Sequence, residues 1–393
     1  MLLVDFSVLL IAAMILMVVF LHLQRGAGVR LKPILALGLF VYHSVFCVIY
    51  YELIKTMPAD ANMYYRVGSE IGQSGDLVIE FGLGTDFVIW LVAHIQRLFD
   101  LQKLTLFLLF SMVGFTGLLF LLRAMSTWLV GKNASWLWLL LFMPGLSFWT
   151  SSIGKDSLIF FALCYLLYAI LHFSLIRIAL ALLVIMLIRP HVGIVAIMSL
   201  SLALMVDKKQ LSAHAKWLSA AILLTLLVML VPFVTSYVGL SELSLQAIVN
   251  KIEAQSGHNQ EGGGALDITQ LSLPGQIFAY LFRPIFFDAK NMLGVVVSFE
   301  NAIYLGMCLM LLRRQMISFF QQHKSVVLWF SLFFFAGMTL MMATTTANSG
   351  IAVRQKMMFF PYLIFVFVWF TCFLDTEQAA KRNATSMLSG VTS

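Results

Sequence analysis

Ile178-Ala-Leu-Ala-Leu-Leu-Val-Ile-Met-Leu-Ile188, Arg189-Pro190, His191-Val-Gly-Ile-Val-Ala-Ile-Met-Ser-Leu-Ser-Leu-Ala-Leu-Met-Val206 is a single apolar stretch broken once. Each half is short for a hydrocarbon core of about 30 Å, which takes about 20 helical residues to cross. Proline removes a backbone donor and pushes the residue before it out of helical geometry. Non-helical backbone at membrane depth persists only against protein or around a water-filled cavity. The stretch therefore reads as a pair of broken helices, 178–188 and 191–206, flanking a polar site inside a membrane protein.

Composition agrees. The chain is 61% hydrophobic and 11% charged, with a mean hydropathy of +0.95, where an ordinary soluble domain is about 25% charged. Further apolar runs fall near 2–22, 34–54, 103–123, 134–150, 157–176, 217–237, 292–312, 325–345 and 356–374. The fold class expected is all-α: a polytopic integral membrane protein of 11 transmembrane segments, counting the broken pair. Residues 1–374 form one transmembrane domain with outer loops 55–102 and 239–290, and 375–393 form a polar, disordered cytoplasmic tail. The run Val8 to Leu23 lacks a basic leader and a small-residue cleavage site, so it is read as a span. Cys47, Cys164, Cys308 and Cys372 all lie in apolar runs and are read as packing residues.

Lysine and arginine set the expected orientation. With the N-terminus outside and the C-terminus in, the inner loops hold Arg25, Arg30, Lys32, Arg123, Lys208, Lys209, Arg313 and Arg314 among others, opposed only by Asp207, Asp375 and Glu377. The remaining carboxylates then lie outside or at the outer ends of spans. This requires 84–99, which carries Asp86, His94 and Arg97, to lie along the outer surface as an amphipathic helix. The patch Ser256-Gly-His-Asn-Gln-Glu-Gly-Gly-Gly264 lacks a phosphate-loop fingerprint and reads as a loop.

On that topology, isolated charges gather on one side: Asp60 and Arg66, Glu80 and Asp86, Lys155-Asp156, Arg189 with His191, Arg283, and Arg354 with Lys356. Ionisable groups cost roughly 2.5–3.5 kcal/mol at mid-depth, and they usually face a cavity and serve function. A single shared cavity is the expectation, with arginine prominent because its fork matches phosphate oxygens. Pro58-Ala-Asp60-Ala-Asn-Met-Tyr64-Tyr65-Arg66 sets a carboxylate, two phenols and a guanidinium beside the membrane, and Asp60 is the candidate general base. Blander roles stand beside several of these. Asp156 suits a helix N-terminus, Arg189 could snorkel at the proline break, His191 could be a satisfied polar contact, and Lys356 and the tyrosines could anchor at the interface. A carboxylate among cations suits transfer from a phosphate leaving group, with fixed positive charge on the departing anion. No HExxH, GxSxG or Cys/His cluster is present, which argues against zinc hydrolysis and serine-nucleophile chemistry, and no cofactor is expected. Nothing points to nucleic acid.

Two N-terminal spans followed by Asp60-x-x-x-Tyr64 resemble the EpsG-like and Wzy-type polysaccharide polymerases, within the GT-C glycosyltransferase superfamily. Glu80-Phe-Gly-Leu-Gly-Thr-Asp-Phe87, Phe148-Trp-Thr-Ser-Ser-Ile-Gly-Lys-Asp156, Ile188-Arg-Pro190 and Phe282-Arg-Pro284 resemble the same proteins. Asp60 follows Lys55-Thr-Met-Pro-Ala59 in place of that family's Arg-x-x-x-Gly-Thr, which leaves Arg66 as the substitute cation. The resemblance implies a metal-independent, inverting enzyme of the bacterial cytoplasmic membrane acting on polyprenyl-linked sugars. It would extend a polysaccharide beside a flippase and a chain-length regulator. Asp60 would be the base; Arg189, Arg283 and Arg354, with Lys155 behind them, would take the pyrophosphate. Tyr64, Tyr65, Arg66, Glu80, Asp86, Asp156, His191 and Lys356 would complete the substrate site. Alternatives are a GT-C enzyme moving single sugars from a polyprenyl monophosphate, a lipid-linked oligosaccharide flippase, or an acyltransferase using His191.

Overall fold

The computed structural model describes residues 2–25, 30, 32–75, 79–129, 140–206, 271–289, 291–346 and 348–391, with positions 217, 221, 225 and 228. The patch 256–264 lies outside the described residues, as does 217–237 apart from those positions. Among the described residues the architecture is helical without strands. In chain order the helices are α1 (Leu2–Gln24), α2 (Pro33–Leu53), α3 (Asp60–Gln73), α4 (Thr85–Phe99), α5 (Lys103–Ser126), α6 (Pro144–Thr150), α7 (Lys155–Leu171) and α8 (Leu175–Ile188). There follow α9 (Pro190–Val206), α10 (Leu273–Phe282), α11 (Met292–Leu311), α12 (Gln315–Gln322), α13 (Val326–Thr345), α14 (Ser349–Lys356) and α15 (Phe360–Val391).

Six of these are long and apolar enough to cross a bilayer: α1, α2, α5, α11, α13 and the Phe360–Ala380 part of α15. The chain is a multi-pass membrane protein. The described residues do not reach the expected eleven spans. The runs at 134–150 and 157–176, expected to cross separately, end in α6 and α7, which meet at 116° and make at most one broken span. The corner sits at Ser151-Ser-Ile-Gly154, where Gly154 takes a φ of +149° that side-chain-bearing residues rarely adopt. The break at Arg189 falls where expected, with α8 ending at Ile188 and α9 opening on Pro190. Arg189 itself is pushed to φ −145° and ψ 85° by the proline that follows. The tail beyond 374, expected to be disordered, continues as helix to Val391. Glu377-Gln-Ala-Ala-Lys-Arg382 is a run of strong helix formers carried on from an apolar helix that is already nucleated.

Lipid tails are as apolar as leucine, so helices here associate by close packing and small residues more than by hydrophobic driving force. A Cβ on Gly117 of α5 would stand 2.8 Å from the Phe160 ring of α7, and one on Gly337 of α13 would stand 3.0 Å from Val195 of α9. The core between them is aromatic and aliphatic, with Leu118, Phe160, Leu163, Phe330, Phe334 and Phe365 fully buried. Of the four cysteines, Cys47, Cys164 and Cys372 are buried, Cys308 is half-buried and all are free, consistent with packing. The helix expected over 84–99 exists as α4 and pairs with α3. A Cβ on Gly72 would come within 2.7 Å of the Ala93 carbonyl, so the two backbones nearly touch.

Candidate active site

Three of the charged residues come from α3, the α6–α7 corner and α14. Asp60 is the first residue of α3, and Asp156 the second of α7, where the peptide dipoles favour negative charge. Arg354 lies in the last turn of α14, which is capped at its start by the Asn348 side chain on the amides of Gly350 and Ile351. Arg189 stands in the gap between α8 and α9.

These four side chains, drawn from separate parts of the chain, form one ionic series. Arg354 Nη1 donates to Asp60 Oδ2 at 3.2 Å, while its Nε donates to Asp156 Oδ2. Arg189 Nη2 donates to the other Asp156 oxygen at 2.8 Å. The two carboxylates are not equivalent. The Asp156 side chain is 8% exposed and gripped from both sides, whereas that of Asp60 is 56% exposed and held from one. Asp156 is thus an internal counter-ion, and Asp60 the acid that an outside molecule can reach. The two acids also hold the Arg354 guanidinium well above its ordinary pKa, so it stays charged at every working pH. The Nε of Arg189 is buried without a hydrogen-bond partner, so this cation has donor capacity left over.

Around this series sit other expected members. Lys155 lies within electrostatic range of Arg189, Asp60, Asp156 and Arg354, and half-buried His191 is close to Arg189 and Lys155. With two carboxylates, two guanidiniums and the Lys155 amine, the group carries a surplus of one positive charge. Tyr64 is 2% exposed, and its ring would lie 3.3 Å from a Cβ on Gly154, a tight contact at a position whose φ already favours glycine. Burial, with the Asp60 charge second, pushes the Tyr64 phenol up to about 12, so it remains protonated and serves as a wall beside Asp60.

Other expected site residues stand apart. The Tyr65 hydroxyl turns toward the Leu101 carbonyl at 3.4 Å. Arg66, Glu80 and Asp86 are exposed and make none of the bonds of the ionic series. Arg283 is occupied locally: its Nε and Nη2 fork onto both oxygens of Asp288 at 2.8 Å each. Lys356 is 1% exposed and bonds to Asn301 Oδ1 at 2.8 Å inside the bundle. Two residues along a helix of 3.6 per turn is roughly 200°, so Lys356 leaves α14 on the face opposite Arg354. Neither an interfacial anchor nor an outer phosphate contact fits that burial.

Tyr50, Tyr280, Glu300 and Asn301 are not among the residues expected from the sequence. Tyr50 at the end of α2 lies within range of Asp60, Asp156 and Arg354, and Tyr280 within range of Arg189. Glu300 contradicts the expectation that the carboxylates lie outside or at span ends, because it is the ninth of the twenty residues of α11 and is 4% exposed. A carboxylate and an amide side by side in an apolar run were the available signal. Among the described residues no group of three His, Cys, Asp or Glu side chains is placed to hold a metal ion.

Set against protein-family models, curated proteins and solved structures, the chain gives no match.

Burial lowers the Lys356 amine to about 7, against the opposing pull of Glu300. The unfolded chain then binds more protons than the folded one between about pH 7 and the ordinary lysine value, so stability rises with pH across that window. In the detergent-solubilised protein the parent's melting temperature should gain on that of Lys356→Met as the pH rises from 7 to 10. Equal slopes for the two proteins would place the ammonium in a wetter setting.

Proposed function

We propose that the chain is a membrane glycosyltransferase that polymerises polyprenyl-pyrophosphate-linked oligosaccharide repeat units into an exopolysaccharide, capsule or O-antigen. It would act on the outer face of the bacterial cytoplasmic membrane, with the N-terminus outside, the C-terminus inside, and a flippase and chain-length regulator as partners. The observation that carries this reading is the ionic series itself. One reachable carboxylate stands at its end and fixed guanidiniums behind it, assembled from stretches far apart in the chain.

In this reaction a hydroxyl of the incoming repeat unit attacks C1 of the growing chain, and Asp60 accepts the hydroxyl proton. The bond from C1 to the pyrophosphate oxygen breaks, and its electron pair leaves with the polyprenyl pyrophosphate. Arg189, Arg354 and Lys155 stabilise that departing charge. For Asp60 to act, Arg354 must release it. An exposed ion pair is worth at most about 1 kcal/mol, and phosphate oxygens offer the same guanidinium a bidentate partner. Arrival of the donor would thus free the base and neutralise the surplus charge in one exchange. A single-sugar GT-C transfer would use the same groups.

The test is reconstitution. Purified protein in liposomes, supplied with lipid-linked repeat units and no ion gradient, should lengthen the glycan. Movement of intact lipid-linked units between leaflets, without lengthening, would instead support a flippase.

A further inference from the structure

Two short helices, α6 before the corner that leads to Asp156 on α7 and α14 carrying Arg354, have little stability of their own. α6 has seven residues and α14 eight, well under the roughly 12–15 that make even a favourable isolated helix marginal. Something in the bundle must hold them, and one turn of α11 meets both. Glu300 Oε1 accepts the Gly145 amide at 2.6 Å. A Cβ on Gly145 would stand 2.5 Å from the other Glu300 oxygen, so a larger residue there would displace the carboxylate. The next residue, Asn301, accepts from Lys356 of α14 at 2.8 Å and donates to the Pro284 carbonyl at 2.9 Å. Glu300, Asn301 and Lys356 are 4%, 3% and 1% exposed.

These contacts lie behind the ionic series. Gly145 opens the helix whose corner leads to Asp156, and Lys356 leaves α14 on the face opposite Arg354. A buried polar group left without a partner is costly, so each contact fixes its segment firmly in depth and rotation. We propose that Glu300 and Asn301 are positioning residues that grip α6 and α14 from within the membrane. By that grip, α11 sets whether Arg354 can span from Asp60 to Asp156. That this alignment governs sugar transfer rests on the function proposed above; the grip itself does not.

Hydrogen–deuterium exchange on the full-length protein in nanodiscs tests the grip without any substrate. Asn301→Leu removes both of its polar contacts, and exchange across 349–356 should speed by about ten-fold or more, as expected for leaving a buried polar group without its partner. Exchange in α5 and α7 should stay within about two-fold. Asn301→Asp keeps the acceptor for Lys356 and should retain most of the protection. Should Asn301→Leu fail to accumulate, Lys356→Met against Lys356→Gln poses the same question, because glutamine keeps a donor and methionine does not. Unchanged protection at 349–356, or equal loosening throughout the bundle, overturns the proposal. With lipid-linked repeat units supplied, Asn301→Leu should lower kcat more than it raises KM, and Asn301→Asp should recover kcat. Absence of transfer even in the unaltered protein would count against the proposed reaction and leave the exchange result to decide the grip.

Discussion

Asp60→Asn should cut sugar transfer by about a hundred- to ten-thousand-fold, the usual contribution of a positioned general base, while the protein folds and inserts normally. The two halves of this expectation come from one geometry. Asp60 sits at the exposed end of the ionic series with a single 3.2 Å contact to Arg354 and over half of its side chain in the open. An asparagine there still accepts a hydrogen bond, so the stability change should stay under about 1 kcal/mol. It cannot accept a proton at neutral pH, so chemistry should stop. The measurement is glycan length against time for both proteins at matched levels of insertion, with melting curves beside it. Transfer by the asparagine variant at an undiminished rate would remove Asp60 from the reaction.

Asp156→Ala is expected to act in the opposite sense, on the fold before the chemistry. Asp156 is the shared partner of Arg189 and Arg354, and its side chain is 8% exposed. Removing it leaves two guanidiniums facing each other and Lys155 with no internal anion between them. Breaking a buried pair by deleting one member costs about 3–5 kcal/mol, a large part of the stability of a typical domain. Poor accumulation or a sharply lowered melting temperature should follow. Arg189→Met combined with Asp156→Ala should recover part of the loss, because one stranded charge goes with its partner. A single Asp156→Ala variant that melts like the parent would mean that water reaches this carboxylate freely.

The contrast between these two aspartates was not legible in the chain. Both are single carboxylates at the start of a helix, and sequence reasoning could place them near one another only through the tendency of membrane charges to share a cavity. The prospective meeting of Asp60 and Arg354 was readable in that coarse sense, and so was the break at Arg189-Pro190. Arg283 misled because its neutralising partner, Asp288, lies five residues on in a stretch with no regular periodicity. Lys356 misled because it is two residues from a site arginine, close in sequence and opposite in direction.

The sequence alone determined the class of molecule: long apolar helices, a proline-broken pair, and rare charges that the surrounding lipid would penalise unless they were brought together. That much follows from local composition, since the cost of burying a charge depends on the residue and on the run that holds it. Only the tertiary structure decided the division of labour, with Asp60 outward, Asp156 inward, and Glu300 and Asn301 behind both of the short helices. Such roles depend on which side chains converge from distant segments, and on how much water each convergence leaves. Neither quantity is a property of any one stretch of chain.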